Sequence, residues 1–149
     1  MKNTHTTPLE PSKGWSVESL LGLDEQNDSE LIAAIARGLP VGTLETFASN
    51  SGLAIEGLTR ALNLHPAKLA RRKGKGKLTR AESDHLVSVT HTFACAIDLF
   101  NGNRKSAANW FITPSPALGD IKPLQLVKTH AGCRAIECLI GRLQHGVFS

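Results

Sequence analysis

Residues 103–126 read NRKSAANWFITPSPALGDIKPLQL, and this stretch decides how the rest of the chain is read. An amphipathic helical segment ends at Trp110-Phe111, a connector with two prolines and a glycine runs from Thr113 to Gly119, and Lys122-Pro123-Leu124 leads into another helix. Pro114 and Pro116 each fix φ and remove an N–H donor, so the connector is stiff and cannot continue a helix. It is suited to holding a surface, and it contains no group equipped for chemistry.

The flanking sequence is helical on both sides. Ser83 to Asn101 carries Leu86, Val89, Phe93, Ile97 and Phe100 at steps of three and four, a continuous apolar stripe that Gly102 ends. The last helix, about Ala131 to Gln144, repeats the stripe with Ile136, Ile140, Leu143 and then Val147. Upstream, Leu58, Leu62, Leu64 and Leu69 fall at the spacings of two short helices between Ile55 and Arg72, one ending at Asn63 and the other starting with Pro66 at its first position. This is a helix-turn-helix pattern in which Asn63 takes the left-handed turn position and Thr59, four residues earlier, is the small residue. Ser29 is placed to cap a short helix carrying Leu31, Ile32 and Ile35 that stops at Gly38 and Pro40, and a further helix from about Val41 to Asn50 buries Leu44 and Phe47. No segment alternates with period two, so the expected fold is all-α, without internal repeats.

A chain of 149 residues with 41% apolar content supports one domain or two small ones sharing a core. Cys95, Cys133 and Cys138 lie in helical, apolar contexts without CxxC spacing, which reads as buried reduced thiols of a cytoplasmic protein. No stretch reaches the roughly 20 apolar residues of a membrane span, and the N-terminus lacks the apolar run of a signal peptide. Residues 1–30 hold two lysines against six carboxylates, a net −4 that leaves +8 for the remainder of a chain whose total is +4. Residues 1–28 are therefore expected as a mobile acidic arm, with Val17, Leu20, Leu21 and Leu23 forming at most one turn against the body.

Arg71, Arg72, Lys73, Lys75, Lys77 and Arg80 crowd into ten positions. With Lys68 they form the expected DNA-binding set: a short recognition helix over Pro66–Arg72 and a glycine-flanked continuation suited to phosphate contact more than to base reading. The bland alternative is a basic face that merely keeps a helix solvated. An enzyme reading has no foothold. The histidines are scattered, no HxxxH, HExxH or GxSxG occurs, His85 and His91 are six apart and so on different helix faces, and Gly74 and Gly76 do not form a phosphate-binding loop. No cofactor or metal is expected.

The order and spacing of Asn103–Phe111, Pro114–Gly119, Lys122–Leu126, Gly132 and Arg142–Val147 resemble the toxin-binding domain of Xre/MbcA/ParS-type antitoxins, and with the helix-turn-helix segment the resemblance runs from about Leu39 to Val147. It implies an N-terminal Xre/Cro-like helix-turn-helix domain, residues 29–80, followed by a small helical toxin-binding domain, residues 81–149. It also implies a cognate RES-domain toxin as partner, a fold associated with NAD consumption, and repression of the antitoxin's own operon through operator DNA. A homodimer would match a two-fold operator. The expected toxin-binding residues are Ser115, Leu118, Lys128, Arg142, His145, Val147 and Phe148, with Trp110 packing beneath the loop. Arg142, or Lys128 near it, would enter the toxin's cleft; the plainer alternative for the tail is a frayed end with Phe148 folded back. The rival from another class is a helix-turn-helix regulator whose C-terminal half only dimerises or senses a ligand.

Overall fold

The computed structural model describes residues 15–24 and 27–146, and among these the chain is helical apart from two isolated bridge pairs, Pro40 with Lys77 and Ser115 with Ile121. The helices are α1 Val17–Leu21, α2 Asp28–Arg37, α3 Gly42–Ser51, α4 Ile55–Ala61, α5 Pro66–Lys75, α6 Arg80–Leu99, α7 Arg104–Phe111, α8 Pro123–Leu126 and α9 His130–His145. One 3₁₀ turn, Pro116–Leu118, interrupts the connector between α7 and α8. Among the described residues no helix is long and apolar enough to cross a membrane.

The organising element is α6. Thr79 Oγ1 accepts from the Glu82 N–H at 3.1 Å, while the Glu82 carboxylate accepts from the Thr79 N–H at 2.9 Å, a reciprocal cap that satisfies two orphan donors. The helix therefore starts at Arg80, three residues before the Ser83 start expected from the apolar stripe. Between Val89 and Ile97 every residue except His91 is buried, so α6 is enclosed on nearly all faces, unlike a surface helix with one apolar stripe. Phe93 sits at its centre, edge-on to Phe47 of α3 at 5.7 Å and to Phe111 of α7 at 5.1 Å between ring centroids. One continuous core runs from Val17 to Ile140, and the expected boundary at residue 80 falls at the start of the helix that both halves share.

Asn101 (φ 56°) and Gly102 (φ 89°) reverse the chain after α6, and α7 brings Phe111 back against the middle of that helix. The connector and α8 then return the chain to where α6 began, because His85 Nε2 donates to the Val127 carbonyl at 2.7 Å. From there α9 runs parallel to α6. Contacts advance together along the two helices, from Ser88 with His130, through Thr92 with Glu137, to Asp98 with Gln144.

Three sequence expectations need correction, and a fourth is filled out. The single turn expected at Val17–Leu23 packs against the body: Leu20 and Leu21 are fully buried, Asn50 Nδ2 donates to the Ser19 and Leu20 carbonyls, and Arg104 stacks 4.3 Å from the Trp15 ring centroid while donating to the Asn50 carbonyl. The acidic neighbours obscured a segment that has both apolar anchors and polar clasps; the rest of the expected arm, 1–14 and 25–26, lies outside the described residues. Asn27, whose side chain accepts from the Glu30 N–H at 3.0 Å, caps α2 in place of Ser29. Leu143 is 37% exposed, so the apolar stripe of α9 fades in its last turn. Cys138 is also exposed, whereas Cys95 and Cys133 are buried.

Two glycines of α9 make opposite predictions. A Cβ on Gly132 would overlap the Leu126 carbonyl oxygen, which is backbone and cannot swing aside, whereas a Cβ on Gly141 meets nothing within 4 Å. Gly132→Ala is expected to lower the unfolding free energy by about 2–3 kcal/mol. Gly141→Ala is expected to raise it by roughly 0.5–1 kcal/mol through helix propensity, and chemical denaturation of the two variants checks both signs.

Candidate functional site

Two exposed surfaces flank the shared core. On the first, α4 and α5 are joined through Leu62–His65, with Asn63 at φ 59° in the left-handed region, as expected of the turn position. Thr59 completes the turn by accepting the Leu64 N–H on its carbonyl at 2.8 Å. Pro66 opens α5 at a position whose N–H would be unsatisfied in any case. None of α5 is buried; only Leu69 leans on the core, and at 100° per residue Arg71 lies nearly opposite it and Lys75 about 120° round the helix, both exposed. Lys73, Lys77 and Arg80 are likewise exposed, and Lys68 is half-buried at the edge of this face.

Arg72, a member of the expected set, has an ion-pair partner within the chain. Its Nε donates to Glu82 Oε1 at 2.6 Å, with the two side chains only 16% and 12% exposed. Burial alone would raise the Glu82 carboxyl, but the Arg72 guanidinium and the Thr79 N–H outweigh it and hold the group below its ordinary value. The same hydrogen bond raises Arg72. Arg72 therefore fixes α5 to the first turn of α6, because a capping carboxylate one turn into α6 lies within reach of its Nε. The block is further extended by the helix itself: α5 continues to Lys75 and ends at Gly76 (φ 84°), so Lys73 and Lys75 stand on its last turn, where cations complement the helix dipole.

The second surface surrounds the α7–α8 connector and α9. Ser115 ties the connector into a closed loop: its N–H donates to the Ile121 carbonyl and its own carbonyl accepts from Leu118 and Asp120. Leu118 leans on the core, while Ile112 and Ile121 are 49% and 40% exposed beside it. Trp110 is half-buried, edge-on to Phe100 at 6.4 Å and to Phe111 at 6.0 Å, which supports the structural role expected for it. Along α9 the exposed residues Arg134, Cys138, Arg142 and His145 recur at steps of three and four on one outward stripe. Lys128 is not near Arg142, as had been expected; it precedes α9, and the 12 residues from His130 to Arg142 alone span about 18 Å. Val147 and Phe148 lie outside the described residues.

The sequence reading also missed a cluster between α6 and α9. His91 Nδ1 lies 3.1 Å from Glu137 Oε2 and 3.9 Å from Cys95 Sγ, and the Thr92 hydroxyl donates to Glu137 Oε2 at 2.6 Å. The Cys95 contact and the Glu137 carboxylate push His91 up to about 10, and burial pushes the Cys95 thiol up. His91 and Cys95 are four apart, a spacing that shares a helix face, but a search for paired histidines passes over it. His85 and His91 were expected on different faces, yet both engage the segment 127–137, since His85 meets the turn that precedes α9.

A family described as the antitoxin Xre/MbcA/ParS C-terminal toxin-binding domain matches residues 95–146, and the antitoxin Xre-like helix-turn-helix domain matches residues 30–89. Among curated proteins, an antitoxin Xre of Yersinia enterocolitica is 30% identical over 150 residues, covering 100% of both chains. An antitoxin Xre of Photorhabdus laumondii is 31% identical over 130 residues, covering 87% of this chain and 88% of the relative.

The Glu82 site predicts a pH signature. A carboxyl held below its ordinary value in the folded chain contributes stability above that value and loses it as the pH falls through the carboxylate range. Gln at this position keeps the capping hydrogen bond and removes the charge. Glu82→Gln is therefore expected to melt below the parent chain at neutral pH, with the gap closing in acid; parallel thermal melts across pH check this.

Proposed function

The chain belongs to the Xre antitoxins, which join a helix-turn-helix domain to a toxin-binding domain, and from that premise we propose that it silences a RES-type toxin by covering the entrance to the toxin's NAD site and represses its own operon. The observation that carries the toxin reading is the outward stripe of α9, where Arg134, Cys138, Arg142 and His145 stand exposed inside the stretch matched to the toxin-binding domain. Arg142 and His145, in the last turn of α9, enter the cleft, and the block is steric. Lys128 lies at the opposite end of the helix and, with Ser115 and Leu118 of the connector, meets a different part of the toxin, outside the cleft.

Repression rests on α5. Its first turn, Pro66-Ala67-Lys68, offers little for reading bases, whereas Arg71 and Lys75 project outward further along the helix, followed by Lys77 and Arg80. These are phosphate contacts, which position the protein on DNA and carry most of the affinity without carrying sequence information. Residues 29–80 supply this contact, residues 81–149 the toxin contact, and a homodimer presents two copies of α5 to successive half-sites.

Co-expression with the product of the neighbouring reading frame, followed by pull-down and a cellular NAD assay, tests the toxin reading. A stable complex with NAD preserved is expected, and Arg142→Glu is expected to lose protection while leaving operator binding intact. A complex that protects equally well with Arg142→Glu would move the blocking surface away from the end of α9, and no complex would leave a regulator alone. For the DNA face, Arg71→Ala and Lys75→Ala are each expected to weaken operator and non-operator DNA alike and to reduce the log–log salt slope by about 1. Unchanged slopes in a salt titration of affinity would remove these residues from the interface.

A further inference from the structure

We propose that His91, Cys95 and Glu137 form a binding site for a single zinc ion that joins α6 to α9. The donor atoms are His91 Nδ1, Cys95 Sγ and one Glu137 oxygen, and all lie within 4.8 Å of one another. Around a tetrahedral zinc, ligand atoms at ordinary bond lengths stand about 3.3–3.8 Å apart. The observed 3.1 Å from Nδ1 to Oε2 and 3.9 Å from Nδ1 to Sγ bracket that range, while the remaining Sγ–oxygen pair, within 4.8 Å, closes by up to about 1 Å through side-chain rotation as the three donors come onto one ion.

The placement is rigid where a site needs it to be. Cys95 is fully buried in the enclosed middle of α6, and its i, i+4 relation to His91 sets both donors on the same face. Glu137 comes from the parallel helix and is oriented by the Thr92 hydroxyl at 2.6 Å, the kind of outer partner that holds a metal-bound carboxylate in place. The cluster also has an open side, since the His91 and Glu137 side chains are 36% and 25% exposed, and a water completes the fourth position there. One thiolate, one imidazole and one carboxylate is a mixed donor set that suits zinc and disfavours magnesium or calcium, which take oxygen ligands. On binding, the Cys95 thiol and the His91 Nδ1–H each release a proton to solvent as the metal–sulfur and metal–nitrogen bonds form, and the direct His91–Glu137 hydrogen bond is replaced by a bond from each residue to the ion.

The site lies where its occupation is felt by both halves. It pins the middle of the helix that begins beside the helix-turn-helix to the middle of the helix that carries the exposed Arg134–His145 stripe, and it stands independently of which toxin that stripe meets.

The test uses the full chain with Cys138→Ser, which removes the exposed thiol, and cobalt(II) as the spectroscopic stand-in for zinc. One cobalt per chain is expected, with a thiolate-to-cobalt charge-transfer band in the near ultraviolet. Cys95→Ser is expected to abolish that band, and His91→Ala and Glu137→Gln to weaken cobalt binding by at least about tenfold, the low end even for an outer partner. Because Cys95 is buried and its variant risks misfolding, a second readout rests on the half-exposed His91. Zinc is expected to raise the melting temperature of the Cys138→Ser chain and to leave that of its His91→Ala derivative unchanged. Absence of a charge-transfer band, a band that survives Cys95→Ser, or equal zinc stabilisation with and without His91 would each overturn the site.

Discussion

Everything in this structure depends on enclosing α6. A helix buried on nearly every face between Val89 and Ile97 cannot be satisfied by one partner, and α1, α2, α3, α7 and α9 all contribute to covering it. Phe93 makes the dependence concrete, since its ring is held edge-on by Phe47 from the N-terminal half and by Phe111 from the C-terminal half. Each face of that ring arrangement comes from a different matched domain, so neither half keeps its core without the other.

The same helix organises the polar surface. Glu82 caps α6 and holds Arg72, and through Arg72 it fixes the pitch of α5. Arg72 thereby has a structural partner within the chain, while its neighbours Arg71 and Lys75 are exposed. The division of labour within the basic block follows from which side chains lie within reach of one carboxylate, and charge density along the sequence does not encode it.

Much of this was legible beforehand. The left-handed Asn63, the proline at the start of α5, the closed Pro114–Gly119 connector and the long apolar stripe all follow from local chemistry, and they led to the all-helical fold and its family. What escaped involved pairing across distance. The anchoring of Trp15–Leu23 depends on Asn50 and Arg104, 30 or more residues away, and the Arg72–Glu82 pair depends on how α5 meets α6. His91, Cys95 and Glu137 converge only because α9 runs parallel to α6, and nothing in the hydrophobic periodicity of either helix specifies direction. The separation of Lys128 from Arg142 was hidden for a simpler reason: two residues near the two ends of one helix look adjacent in a short segment until the rise per residue is applied.

The parallel course of α6 and α9 also bears on the order in which the chain matures. Partners across that pair are 42 to 46 residues apart in sequence, and the whole of α7, the connector and α8 must be laid down before the first of them can meet. Contacts that close so long a loop form late and slowly. As the polypeptide leaves the ribosome, the helix-turn-helix emerges before α9, and one side of α6 stays uncovered until α9 has been synthesised. The covering of α6 by α9 is thus a late step of folding, and until it happens the side of α6 that carries Thr92 and Cys95 stays open to solvent.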